Sequence, residues 1–306
     1  MRPMISTYNY KNLTWVDLES PHEDELVHIM ERYAIPATIA EQVISDSPHS
    51  KIEQHTHFTY LILHFPSKEK DGDNITTEEV DFIIVADFII TTHYGPMDSL
   101  RSFSKTFEKN MVHEKHIEHT HAGFLFGHLL RALYYTTREE LDKTHVFVKE
   151  AEKRVFDGTE EAMVAVISLA SRQLLEFRQA LRFHDDVLTT LEQSLVRMFG
   201  EGFRPQIKEI IDDYVRVQDR VDGYKEIIDD IRITNDSLLA NKTNKTMKIL
   251  TIITFLISPI TIVSSVFMMN TDFVMIKTPL ELAIIIGIMI LLSLVTFIYF
   301  KHKKWL

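Results

Sequence analysis

Cysteine is absent from this chain of 306 residues, so disulfides and thiolate metal sites are excluded. Acidic side chains nearly vanish past residue 240: of 44 Asp and Glu, only Asp272 and Glu281 lie beyond it. Residues 1–240 hold 26 basic against 42 acidic residues, a balance of −16, whereas the last 66 hold 7 against 2, or +5. Such an acidic region lacks the clustered positive charge that phosphates need, so no nucleic-acid partner is expected. The charge either keeps a large domain soluble or gathers cations. The first residues, MRPMISTYNYKNLTW, have no apolar core of the kind a cleaved signal peptide needs, so none is expected. No catalytic motif and no phosphate-binding loop stands out, and enzymatic activity is not expected.

Long uncharged runs are what the C-terminal part does contain. No residue from Ile249 to Thr271 or from Leu282 to Phe300 carries charge. Crossing ~30 Å of hydrocarbon takes ~20 mostly apolar residues, so both runs are long enough. Lys242, Lys245 and Lys248 precede the first run and KHKK at 301–304 follows the second, while the connection holds one Lys and two acids. The positive-inside rule then places both termini in the cytoplasm and the connection outside. The expected location is the cell membrane, crossed twice.

Upstream, Pro205 and Pro259 bracket 53 residues whose only glycine is Gly223. Pro205 suits a first helical turn, where its missing N–H is no loss. Apolar residues recur at Ile207, Ile210, Tyr214, Val217, Val221, Tyr224, Ile228 and Ile231, and the next two seam positions are Asn235 and Leu238. Alternating steps of three and four are a coiled-coil seam. At ~1.5 Å per residue this predicts a rod of about 80 Å running into the first span. Its seam must be buried, either by earlier helices of the chain or by other subunits.

Residues before about 110 read as α/β. LTWVDLE predicts a strand, and the following SPHEDELVHIMERYAI predicts a helix with Ser20 as cap and Pro21 at its first position. HFTYLILHF at 57–65 and VDFIIVADFIITTH at 80–93 read as strands, separated by the loop SKEKDGDN. Residues 121–199 are helical in pattern, with a break near 157–160. The dense histidine cluster, HEKHIEHTH at 113–121, misses zinc-protease spacing by one residue. It reads as a solvated link between subdomains; His113 and His116 on one helix face are the metal-binding alternative. His55 and His57 alternate on a strand and carry less weight still.

Polar residues inside membrane spans usually face a cavity or a partner. The first span carries Thr251, Thr254, Ser258, Thr261, Ser264, Ser265 and Asn270, the second only Ser293 and Thr296 before Tyr299. The first is therefore the better pore lining, although hydroxyls also bond their own backbone or glue helices together. One such helix encloses nothing alone, so a pore requires a ring of subunits.

Over residues 244–270 the sequence shows Asn244, Met247, Lys248, Leu250 and Thr251, then Pro259, Ile260 and Thr261, then Met268, Met269 and Asn270. These residues resemble the CorA family of magnesium and divalent-cation channels. That family typically has Asn-x-x-Met-Lys-x-Leu-Thr, a mid-span Pro-Leu-Thr and a closing Gly-Met-Asn. The order of acidic domain, long helix, two spans and basic tail is similar over the whole chain. Met268 departs from the pattern, because the family keeps Gly there.

The resemblance implies a homopentamer with a cytoplasmic α/β funnel. Its pieces here would be an α/β domain over 1–120, a helical region over 121–204 and a stalk helix over 205–248. The first transmembrane helix would cover 249–271, the outer loop 272–281, the second transmembrane helix 282–300 and the basic tail 301–306. Asn270, Met269 and Met268 would form the selectivity filter, and Thr261, Ser258, Leu250, Met247 and Asn244 the pore lining. Asp272 and Glu281 would draw cations to the outer mouth, and Glu209 and Asp212 are candidates for regulatory metal binding. The cargo implied is hydrated Mg²⁺, with Zn²⁺, Co²⁺ or Ni²⁺ as alternatives and a non-conducting metal sensor as a third reading. A divalent ion gains ~4.6 kcal/mol per 100 mV of membrane potential, so no other energy source is required.

Overall fold

The structure, a computed structural model, describes residues 4–68, 75–95, 97–113, 121–156, 159–268 and 279–303. It divides into two units, residues 1–232 and 233–306. The first unit is built on a mixed sheet of six strands in the order β1-β2-β6-β5-β4-β3. The strands are β1 (Met4–Tyr10), β2 (Leu13–Glu19), β3 (Lys51–Gln54), β4 (Thr59–Lys68), β5 (Ile75–Ile84) and β6 (Phe88–His93). Only β2 and β6 pair in parallel.

The two faces of the sheet follow the two-residue alternation of strand side chains. One face carries Val16, Leu18, Tyr60, Ile62, Ile83 and Ile90. It is covered by α1 (Glu23–Arg32) and α2 (Ala37–Ile44) through Leu26, Ile29, Met30, Ile39 and Val43. The other face meets α3 (Asp98–His113), α4 (Ala122–Arg154), α5 (Glu160–Leu181) and α6 (His184–Phe199). There Phe82 packs on Phe126 at 5.5 Å and Phe65 on Tyr134 at 5.6 Å, while Trp15 meets Phe103 and Phe107 edge-on. Both faces being covered explains why Tyr60–Leu63 of β4 is an unbroken apolar run and why even the polar Thr91, Thr92 and His93 of β6 are buried.

Three local features differ from the sequence reading. The run 80–93 is two strands, not one: Ile84 pairs with Ile89, and Val85 N–H donates to the Phe88 carbonyl across the turn. β1 and β3 were not expected. β1 joins β2 through Lys11 and Asn12, and Lys11 has a φ of 53°, as mirror-image hairpin turns require. Ser20 does not cap α1. It sits at φ 50°, its N–H on the His93 carbonyl and its hydroxyl on the Tyr94 carbonyl. The helix starts at Glu23 instead, with the Glu25 carboxylate accepting from the His22 N–H. Ser20 is thus spent on holding the strand end against β6.

The long helix α7 (Arg204–Met268, 65 residues) would measure about 98 Å at ~1.5 Å per residue. Pro205 lies in its first turn. Of its seam, Ile207, Ile210, Tyr214, Val217, Val221, Ile228 and Ile231 are all buried. In the first unit the chain's own helices do this: Tyr214 meets Tyr134 and His184, Tyr224 stacks on His145, and Arg232 donates to Ser171. Ion pairs flank the seam, with Arg131 on Glu209 and Asp213, and Arg220 on Asp142. Neighbouring subunits are not needed to cover it.

In the second unit the remainder of α7 is followed by α8 (Pro279–His302), and both helices are long and apolar enough to cross a membrane. On α8, Ile285, Met289, Ser293 and Thr296 are half-buried and Phe300 is buried, a stripe at helical spacing. The Ser293 hydroxyl donates to the Leu256 carbonyl at 3.1 Å, and Phe255 meets Phe300 at 5.6 Å.

His184 makes this core sensitive to acid. It is fully enclosed, its Nδ1 2.8 Å from the Tyr134 hydroxyl, and burial pulls its pKa down to about 3. The unfolded chain takes up this proton near pH 6.5 and the folded chain does not, so stability is whole above that pH and declines below it. Between pH 6.5 and 5 the loss from this group is about 2 kcal/mol. A His184→Gln variant, compared with wild type by denaturant unfolding at pH 7 and pH 5, is expected to lose about 2 kcal/mol less over that interval.

Candidate pore face

The membrane half of α7 has two unlike sides. Ile252 is buried, and Leu256, Pro259 and Val263 are half-buried. Steps of four, three and four put these four residues on one stripe, the one that meets α8. At ~100° per residue Thr261 lies about 180° from Ile252. Around it on the opposite side fall Met247, Leu250, Thr254, Ile257, Ser264 and Ser265, all exposed. Ser258, half-buried, is on the flank of this stripe, and Asn244 is exposed at the side of the helix, about 80° from Ile252.

Four of the hydroxyls on this part of the helix are held in one orientation. Thr251 donates to the Met247 carbonyl at 2.8 Å and Thr254 to Leu250 at 2.9 Å. Thr261 donates to Ile257 at 3.2 Å and Ser265 to Thr261 at 2.8 Å. Each oxygen thereby presents its lone pairs outward and offers no proton. Pro259 has no N–H for the Phe255 carbonyl, and one turn earlier the Leu256 carbonyl gains the Ser293 bond. The exposed face therefore alternates apolar levels, Met247, Leu250 and Ile257, with acceptor oxygens at Thr254, Thr261 and Ser265 and with the Ser264 hydroxyl.

Charge is kept off this face. By the same angular count Lys245 and Lys248 fall on the α8 side and Lys242 beside it. A cation facing the exposed stripe would meet neutral oxygens and methyl groups.

Thr261, Leu250 and Met247 thus share the exposed stripe, Ser258 borders it, and Asn244 lies at the side of the helix, as far round as Lys242. Met268 is the last residue of α7, one heptad after Thr261. Asn270, Met269 and Asp272 lie outside the described residues; Glu281 is in the first turn of α8. Glu209 accepts from Arg131 at 2.8 Å, and Asp212 is exposed. Among the described residues no group of three or more His, Asp or Glu is arranged to hold a metal ion. His113 ends α3, and 114–120 lie outside the described residues. His121 is not a solvated linker residue, because it stacks on Phe199 at 4.4 Å beside Phe124 and Phe203. Thr254, Ile257 and Ser264 were missing from the sequence-derived lining. Steps of seven from Thr261, Leu250 and Ile257 would have found them.

Because the chain has no cysteine, single cysteines report this geometry without background. In the membrane-reconstituted protein, cysteines at Leu250, Ile257 and Thr261 are expected to react with a charged, water-soluble thiol reagent. Cysteines at Ile252, Leu256 and Val263 are expected to resist it. Equal labelling of both sets would remove the distinction between the faces.

Known proteins agree with this architecture. The model of the family described as CorA-like Mg²⁺ transporter protein matches residues 10–302. The cobalt/magnesium transport protein CorA of Thermotoga maritima is 22% identical over 298 residues, covering 96% of this chain and 83% of that one. Its counterpart from Methanocaldococcus jannaschii is 21% identical, covering 99% and 94%. The complete structure of the Methanocaldococcus jannaschii CorA magnesium transporter superposes with a TM-score of 0.82 at 20% identity, covering 98% of this chain and 93% of that one. The acidic α/β unit, the single long helix, the apolar hairpin and the family match over nearly all of its length together place this chain in the CorA-like Mg²⁺ transporter family.

Proposed function

We propose that the chain assembles as a homopentamer in the cell membrane and conducts hydrated Mg²⁺ into the cytoplasm, with α7 lining the pore and α8 facing lipid. The observation that carries this reading is the exposed stripe of α7: neutral oxygen acceptors and apolar levels on the side away from α8, left uncovered by the described residues. A ring of copies turns these stripes toward a common axis and leaves α8 outside. The two relatives are cobalt/magnesium transport proteins, which supports a divalent cargo. Transport, not catalysis, is the role this arrangement suits.

Mg²⁺ gives up its waters reluctantly, so a lining of neutral acceptors that holds the hydrated ion loosely suits passage better than charged ligands. Asn270, with Met269 and Met268, would form the outer filter, a ring of amide oxygens addressing the hydration shell. Asp272 and Glu281 would raise the local cation concentration there. Leu250 and Met247 would form a constriction able to close by dewetting, with Asn244 at its cytoplasmic end. Both termini would be cytoplasmic, with the lysines at 242, 245, 248, 301 and 303–304 on that side. Glu209 and Asp212 would bind regulatory ions only together with a neighbouring subunit, since Glu209 is already paired with Arg131 within its own chain.

In liposomes with an inside-negative potential, purified protein is expected to admit Mg²⁺, and Asn270→Ala to lower the rate about tenfold or more. Co²⁺ and Zn²⁺ are run alongside. Entry of Zn²⁺ without Mg²⁺ would reassign the cargo, and an assembled oligomer that passes none of the three would make the protein a sensor instead of a channel.

A further inference from the structure

Resting on the reading of α7 as a pore helix, we infer that Thr254 forms a ring of acceptor oxygens between the Thr261 level and the Leu250 constriction, where it carries the hydration shell of the cation toward the narrowest apolar level. Three observations bear on it. Thr254 is exposed on the face opposite α8, seven residues after Met247 and seven before Thr261, so it recurs in phase with both. Its hydroxyl proton is committed to the Leu250 carbonyl at 2.9 Å, which leaves only lone pairs to face the axis. Its levels are spaced for relay: Thr261 lies about 10 Å away along the helix and Leu250 about 6 Å the other way, at ~1.5 Å per residue.

The sign of the water contacts gives this ring a consequence. Waters bound to a cation turn their oxygens to the ion and their protons outward, so their second partners must be acceptors. Waters around an anion turn the other way and need donors. A Thr hydroxyl free to rotate could serve either, but one locked on the Leu250 carbonyl serves the cation alone. Without it, the ion would pass from Thr261 to Leu250 across Ile257 and a further apolar level, with only the half-buried Ser258 on the flank to accept from its outer protons. Removing the oxygen while keeping the shape therefore lengthens the dry segment of the path and raises the barrier to the ion with its shell.

Thr251 supplies the control. It makes the same hydroxyl bond one turn earlier, to the Met247 carbonyl at 2.8 Å, but is half-buried beside Phe255, Thr296 and Phe300 near the α8 side. Loss of its hydroxyl changes the backbone contact equally and the pore lining far less.

The test measures Mg²⁺ entry into liposomes for wild type, Thr254→Val, Thr254→Ala, Thr254→Ser and Thr251→Val, each checked for intact oligomer. Thr254→Val and Thr254→Ala are expected to lower the rate about five- to tenfold, the scale of one lost polar contact in the rate-limiting barrier. Thr254→Ser and Thr251→Val are expected to stay within about twofold of wild type. Wild-type flux that Thr254→Val and Thr254→Ala leave unchanged overturns the hydroxyl ring and leaves the channel standing. An equal fall in Thr251→Val also overturns it, since the effect would then come from the helix backbone. Absence of wild-type flux overturns the channel reading and this inference together.

Discussion

The heptad register of α7 is the constraint on which most of this molecule depends. A single helix of 65 residues has one continuous phase, and whatever it buries at one end prescribes what it offers along its length. In the first unit the seam from Ile207 to Ile231 is buried by the chain's own helices, each apolar side chain contributing roughly 1.5–3 kcal/mol when fully removed from water. Steps of seven from Asn235 and Leu238 arrive at Leu256 and Val263 and at Ile252 and Pro259, the residues that meet α8. The same register therefore serves an aqueous interface and a lipid-phase interface in turn.

What the register buries matters less for function than what it leaves bare. Opposite Ile252 the helix carries Thr254, Thr261 and Ser265, their hydroxyls bonded to carbonyls one turn back and their oxygens free to accept. In lipid such a face would be poorly placed, and in a ring of copies it becomes a lining. In the proposed pore, selectivity would follow from the direction of hydrogen bonds as much as from charge, because lysines are absent from this face and carboxylates do not occur within the span. A neutral, acceptor-rich wall interrupted by Ile257, Leu250 and Met247 can hold a hydrated cation weakly and release it.

Parts of the fold were legible because their signals are local and additive. Two uncharged runs, lysine flanks and an unbroken 3-4 spacing require no knowledge of partners. β1 and β3 were not legible: Lys11-Asn12 lacks the glycine that marks tight hairpins, and Lys51–Gln54 is a short, polar edge strand. The strand pair at 80–93 looked like one element because both strands are covered on both faces, so no polar alternation marks the turn at Val85–Asp87. Ser20 looked like a helix cap, yet its hydroxyl is taken by the Tyr94 carbonyl, 74 residues away in sequence. A contact of that range leaves no trace in a local motif.

The sequence by itself determined that this chain has an acidic α/β region, one long stalk and two runs long and apolar enough to span a membrane, because charge, length and periodicity are properties of the chain before it folds. Its motif around Asn244–Asn270 was enough to name the family. Tertiary structure alone decided three further things. It showed that the stalk seam is closed by the chain's own α4, α5 and α6, and that Glu209 is occupied by Arg131. It also showed that α8 takes the Ile252 side of the first span, leaving Thr254 and Thr261 bare. Each is a choice among partners that the periodicity permits equally, and only packing in three dimensions distinguishes them.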